Sequence, residues 1–275
     1  VLSLSRIAYF DCFSGASGDM ILGALLDAGL PLKELRGALG SLALGDISIK
    51  VDRVDRSGIG ATNFRVVTTG SARSEDERET HSHDHGGSHG HHHHRGLSEI
   101  CTMVDSSALS GTAKNRAKEL FARLATVEAE IHQQPVEEIH LHEVGAVDSI
   151  IDIAGVVFGL EWLDVDTIVA SPLNVGSGTV RCAHGIMPVP APATARLVTG
   201  VPIYSSGVQA ELLTPTGALL VSDYVNRYGP MPPMQMETPT NNRSVRRHNR
   251  TTTSMKLGLI SSNCVLNPNK CKKKS

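Results

Sequence analysis

Residues 6–28 constrain the fold of this chain more than any other stretch. Arg6-Ile7-Ala8-Tyr9-Phe10 reads as a short buried strand ending at Asp11, and Cys12 to Gly18 is small and glycine-rich. From Met20 to Ala28 the chain is solidly apolar until Gly29 and Pro31 stop it, which makes that segment a buried helix. Strand, small-residue turn and apolar helix together open an α/β unit. The pattern beyond continues in kind. A helix is expected over Leu32–Leu39, and strands over 47–51, where Ile47, Ile49 and Val51 alternate with polar residues, and around 64–68. Helices follow over Ser98–Asp105 and Thr112–His132, the second with Thr112 as N-cap and Ala117, Leu120, Phe121, Leu124 and Ile131 on one face. A strand near Glu138–His142, an apolar helix over Val147–Leu163 and a buried strand over 166–170 come next. A Gly- and Pro-rich loop (171–192), a helix over Ala193–Val198, a strand near Tyr204 and a helix over about Ala218–Tyr228 complete the pattern, the last entered through Thr214 as cap and Pro215. The expected class is α/β (or α+β), a mixed sheet with flanking helices, with residues 1–237 as one amino-terminal domain.

Two segments stand outside that pattern. Residues 71–95 pass from Ser-Glu-Asp-Glu-Arg-Glu into a run holding eight of the thirteen histidines, and no packed element is plausible there, so a flexible surface loop is expected. Residues 238–275 have no strand or helix period, carry nine Lys or Arg and no Asp or Glu, and read as an irregular basic tail or as translation out of frame. The body before them balances 17 basic against 28 acidic residues, a charge of -11, which argues against nucleic-acid binding and is compatible with attracting cations. Five cysteines without CxxC spacing favour reduced thiols and a cytoplasmic protein. No secretory h-region follows Val1, and no apolar run reaches the roughly 18–20 residues of a membrane span.

The histidine run (His81, His83, His85, His89, His91, His92, His93 and His94) is the strongest chemical feature. Imidazole suits nickel, zinc and copper, and a mobile chain can bring several rings to one ion, though it cannot choose among these metals. A solvated linker whose histidines do nothing is the bland alternative. A more ordered set is His140, His142 and Glu143: on a strand the two imidazoles share a face and the carboxylate begins the turn, a workable group for a divalent transition metal, or a set of core hydrogen bonds. The loop Asp11, Ser14, Gly15, Ser17, Gly18, Asp19 could cradle a phosphate at a helix start, although it lacks Gly-Lys-Ser/Thr. Asp19 as a helix cap would repel an anion, and Asp11 with Asp19 could hold a cation instead. Asp148 is placed to cap the following helix, His184 is a lone loop histidine, and Cys12 reads as an inert core thiol.

Taken in order, Asp11-Cys12-Phe13-Ser14-Gly15-Ala16-Ser17-Gly18-Asp19-Met20, the His-rich loop, His142-Glu143-Val144-Gly145-Ala146-Val147-Asp148-Ser149-Ile150, Ser171-Pro172-Leu173-Asn174-Val175-Gly176-Ser177-Gly178 and Leu213-Thr214-Pro215-Thr216-Gly217-Ala218 resemble the LarC nickel-insertion family over about residues 6–237. The resemblance implies a nickel chelatase of the lyase class. It would insert Ni(II) into pyridinium-3,5-bisthiocarboxylic acid mononucleotide, forming nickel–carbon and nickel–sulfur bonds in the pincer cofactor of lactate racemase, with hydrolysis of CTP aided by Mg or Mn. It places metal delivery on the His loop, ordered ligation on His140, His142 and Glu143, and contact with the anionic substrate on Ser14–Gly18. Family members continue past a Gly-Pro-Met-Pro-Pro-Met stretch into a nucleotide-binding region, sometimes joined by a frameshift. Residues from 238 on do not match it, so a separate carboxy-terminal chain is a possible partner and CTP hydrolysis is expected to lie outside this chain. The competing reading is a non-catalytic nickel store or metallochaperone, for which the His loop would suffice. A phosphotransferase is weakened by the missing Lys-Ser/Thr.

Overall fold

A computed structural model describes residues 5–42, 44, 47–56, 59–68, 95–139, 141, 147–182, 185–233, 238–239 and 256–262. In chain order these form β1 (Ser5–Asp11), α1 (Gly18–Asp27), α2 (Leu32–Gly40), β2 (Ile47–Arg56), β3 (Ile59–Thr68), α3 (Leu97–Ser106) and α4 (Gly111–His132). Then follow α5 (Val147–Trp162), β4 (Thr167–Ala170), β5 (Leu173–Asn174), β6 (Thr179–Cys182), β7 (Gly185–Pro188), α6 (Pro192–Leu197), β8 (Ile203–Tyr204), α7 (Pro215–Tyr224), β9 (Arg227–Tyr228), β10 (Thr238–Pro239) and β11 (Lys256–Ser262).

The main sheet has the order β10-β11-β1-β4-β9; β1, β4 and β9 are parallel and β11 runs antiparallel to β1. Parallel neighbours need helical crossovers, so the sheet is the α/β core that the opening segment predicts, with an antiparallel edge. Ala8 and Phe10 of β1 and Ile168 and Ala170 of β4 face one continuous apolar core shared with α1, α4, α5 and α7. Ile7, Tyr9 and Val169 form a small cluster on the opposite face. Helix α1 is buried on nearly every side because Met20, Ile21, Leu22, Ala24 and Leu25 leave it no polar face. It seats closely on α5 because Gly155 and Gly159, one turn apart, present no side chain: a Cβ there would lie 2.9 Å from Leu22 and 2.9 Å from Leu25. The β2–β3 hairpin is a separate two-stranded sheet tied to α1 by Thr62, which donates to Asp27, and by Arg53, 3.2 Å from the same carboxylate.

Several expectations are corrected. The hairpin strands run ten residues each rather than five. The N-cap of α4 is Ser110, not Thr112: its Oγ accepts from Ala113 N at 3.0 Å and also donates to Glu161, a second tie that Ser110 makes from outside the helix. No strand is found in the described part of 138–142. Pro135 instead opens a 3-10 turn over Val136–Glu138, and Leu141 N donates to Arg95 O at 3.4 Å. Loop 171–192 contains β5 and the β6–β7 hairpin. The last helix ends at Tyr224, where the chain turns so that Tyr228 joins the sheet beside Ala170. Nor is the tail wholly irregular. Lys256–Ser262 pairs with all of β1, Leu259 opposite Ala8, which satisfies an edge that would otherwise present unpaired N–H and C=O groups. Among the described residues, no helix is long and apolar enough to cross a membrane.

Candidate functional site

Beyond the carboxyl ends of β1 and β4, the place where open parallel sheets offer a crevice, four separate sequence blocks meet. The chain leaves β1 at Asp11, whose side chain receives Phe13 N at 3.4 Å. Cys12 is fully buried; its N–H donates to Ser171 Oγ (2.8 Å) and its carbonyl accepts from Gly15 N (2.9 Å) and Asn174 N (3.3 Å). Gly15 has φ +84°, and a Cβ on it would stand 2.0 Å from Leu212 O, so only glycine fits this turn. Ala16 then pairs with the 212–214 segment: Ala16 N donates to Leu212 O and Thr214 N to Ala16 O, each at 3.1 Å. Thr214 caps α7 by accepting from Gly217 N at 3.1 Å. The 11–20 and 213–218 blocks are therefore one interlocked structure.

The other two blocks close around it. Asn174, 2% exposed, donates to Phe13 O (2.7 Å) and Ser206 Oγ (2.9 Å) and accepts from Gly176 N (3.2 Å) and Ser206 N (3.3 Å). It clamps three loops with one amide. Ser149, early in α5, accepts from Thr216 Oγ1 at 3.5 Å, and Gly18 sits so close to Asp152 that a Cβ would be 2.3 Å from its carboxylate.

The electrostatics behind the loop are acidic. Burial, reinforced by the charges of Asp19 and then Asp148, raises the Asp152 carboxyl well above the ordinary range, against a hydrogen bond from Asp19 N–H. Asp148 is raised too, by partial burial and then by Asp19. Asp19 is not the N-cap of α1. It lies in the first turn, where its carboxylate accepts from Ser17 Oγ. The N–H groups of Cys12, Phe13, Gly15, Ala16 and Asp19 are all engaged by protein acceptors, which removes those five as donors to a phosphate. Burial also keeps the Cys12 thiol protonated, as befits a core residue.

A pH dependence follows. The folded chain holds a proton on Asp152 at pH values where the unfolded chain has released it. This contribution to stability is therefore full below the ordinary carboxylate value of about 4 and is lost as pH rises toward the raised value. Asp152→Asn keeps an acceptor for Asp19 N–H and removes the charge. Thermal melts should show the variant more stable than the parent at about pH 8, with a flatter pH profile. A variant that melts lower at that pH with an unchanged slope would refute the assignment.

Of the residues singled out from the sequence, Asp11, Ser14, Gly15, Ser17, Gly18 and Asp19 are brought together here, with Ser14 and Ser17 buried. The histidines at 81–94, His140, His142, Glu143 and His184 lie outside the described residues. Among the described residues, no group of three His, Cys, Asp or Glu side chains is disposed to hold a metal ion. Sequence reasoning missed Asp152 and the clamp made by Asn174. The signal for the first was an acid four residues after Asp148 in an otherwise apolar helix; nothing local distinguished the second.

Comparison with known proteins decides the family. The family model described as "Nickel insertion protein" matches residues 8–249, twelve residues beyond the point where the resemblance was expected to end. The chain belongs to the nickel insertion protein family. Proteins named pyridinium-3,5-bisthiocarboxylic acid mononucleotide nickel insertion protein are similar to it: one from Geobacillus kaustophilus is 45% identical over 231 residues, covering 84% of this chain and 54% of that protein. Another, from Desulfitobacterium hafniense, is 44% identical over 232 residues, covering 84% and 53%. This family member thus spans about half the length of the curated relatives it matches. No solved structure matches it.

Proposed function

We propose that this chain is the nickel-handling part of an enzyme that inserts Ni(II) into pyridinium-3,5-bisthiocarboxylic acid mononucleotide, a chelatase of the lyase class acting in the cytoplasm. One observation carries the reading: the described parts of four blocks of the family resemblance, far apart in sequence, meet beyond the carboxyl ends of the parallel strands, where such sheets offer a crevice. Nickel is a substrate here. The histidines at 81–94 gather it, and His140, His142 and Glu143, which precede α5 and its acids Asp148 and Asp152 in sequence, receive it. Asp11, Ser14, Gly15, Ser17, Gly18 and Asp19 form the wall against which the nucleotide ring is held. Fixing that ring beside a partly dehydrated ion supplies rate through proximity and loss of metal-bound water. Among the described residues no Gly-Lys-Ser/Thr is present, no three acidic or imidazole groups are disposed to hold a metal ion, and the N–H groups of Cys12, Phe13, Gly15 and Ala16 are already engaged, which favours a CTP–Mg or CTP–Mn site elsewhere. In this reading that chemistry belongs to the part of the longer relatives that this sequence does not span.

The run of eight histidines favours a second reading, a nickel store or metallochaperone. Deleting residues 81–94 separates the two. Incubation with the precursor, nickel and the missing half of a relative, followed by mass spectrometry, should show metallated product from the deleted chain when nickel is abundant. At scarce nickel the yield should fall by about tenfold or more, since several imidazoles on one ion bind far more tightly than one. Absence of metallated product from the undeleted chain, with nickel still bound, would leave the store as the correct reading.

A further inference from the structure

The crevice carries a feature that the family reading does not assign. Phe13 is the one outward-facing large side chain of the loop: it is 45% exposed, while Cys12 and Ser14 to Gly18 on either side are buried. It is not a loose loop tip. Its carbonyl is held by the fully engaged Asn174 amide at 2.7 Å and by the Tyr204 hydroxyl at 3.4 Å, and its N–H by Asp11 at 3.4 Å. Tyr204, on β8, is itself 41% exposed, and β8 is paired to β5, the strand that bears Asn174. Two aromatic side chains are thus set at one rim of the crevice with much of their surface in water, Phe13 by its pinned backbone and Tyr204 by its bonded hydroxyl. Leaving large rings exposed forgoes the stabilisation that burial would give. Exposed rings carried on an anchored backbone are the arrangement of a stacking platform.

The charge on that rim selects what stacks. The faces of Phe and Tyr rings carry negative potential and attract cations. Burial, and after it the charge of the nearby Asp11 carboxylate, oppose ionisation of the Tyr204 hydroxyl, so the phenol stays neutral and the carboxylate's field reaches the rim. A flat ring bearing positive charge is favoured there over a neutral or anionic one. We propose that Phe13 and Tyr204 bind the cationic pyridinium ring of the substrate by stacking and thereby set the ring's position relative to the metal. This rests on the reading of the crevice as the substrate site.

The test uses calorimetric titration of the chain with pyridinium-3,5-bisthiocarboxylic acid mononucleotide, without nickel. Phe13→Leu keeps the apolar bulk and lacks a π face. It should weaken binding by about tenfold or more, as should Tyr204→Leu, whereas Phe13→Trp and Tyr204→Phe should bind within about threefold of the parent. The indole introduced at position 13 should also be quenched on addition of the nucleotide. Both altered positions are exposed, so melting temperatures should change little, and a melt of each variant checks that. If the parent binds and Phe13→Leu binds equally well, the platform is refuted while the substrate site survives. If the parent itself takes up no nucleotide, the substrate reading of the crevice fails first.

Discussion

Gly217→Ala should cost the fold about 3 kcal/mol or more, although it adds a single methyl group to a helix. The new Cβ would stand 2.1 Å from Ala16 O, 2.5 Å from Ala16 C and 2.8 Å from Ser17 N, all backbone atoms that have no rotamer with which to yield. Relief requires α7 to part from the 12–18 loop, which breaks the bonds from Ala16 N to Leu212 O and from Thr214 N to Ala16 O. Overpacking of about 1–3 kcal/mol and about 1 kcal/mol for each hydrogen bond then add. Gly37→Ala, in α2 with nothing within 4 Å of its Cβ, is the matched control. It should stabilise by about 0.5–1 kcal/mol, because alanine is the better helix former. Urea titrations of both variants measure the contrast. A Gly217→Ala loss of less than about 1 kcal/mol would mean that the loop and α7 are not locked as described.

That lock also explains what the sequence could and could not reveal. β1, the loop and α1 were legible because an apolar run, a small-residue turn and a second apolar run each carry a local signal. The end of β2 was not, because Asp52, Arg53 and Asp55 interrupt its apolar alternation, and the start of β3 was not, because Ala61, Thr62, Asn63 and Phe64 are buried in succession and show no alternation. β11 is seven residues in a polar tail, and only its pairing with the edge of β1 makes it a strand. In the site, the blocks at 11–19 and 213–217 were visible separately as glycine-rich turn and helix start. Their contact joins residues nearly 200 positions apart, and no periodicity encodes it. The same holds for Asn174, whose four hydrogen bonds come from three loops. The engagement of the N–H groups of Cys12, Phe13, Gly15, Ala16 and Asp19 became readable only once their acceptors were seen in the fold.

The second large effect lies at the far end of α7, where Asp223 is held by two arginines of α4. Its Oδ2 accepts from Arg116 and its Oδ1 from Arg123 at 3.1 Å, while Arg123 also donates to Leu197 O and Ser222 Oγ, each at 3.0 Å. Arg116 lies over the Tyr224 ring at 4.8 Å from its centroid. The Asp223 side chain is 18% exposed and the arginines about a third, so water screens the pairs in part and a fully buried value would overstate them. Asp223→Ala should nonetheless cost about 2–3 kcal/mol, since it leaves two half-buried guanidinium groups facing each other without their shared acceptor. Adding Arg116→Met should recover part of the loss by removing one of the stranded charges, a non-additivity that a double-mutant cycle reads directly. Because α7 begins at Thr214 and Gly217, loosening its far end should also loosen the crevice wall. Amide exchange at Ala16 and Gly217 should then speed up in Asp223→Ala even at temperatures well below its melting point. Unchanged exchange there would show that the anchor and the site are independent, each stabilising its own end of the helix.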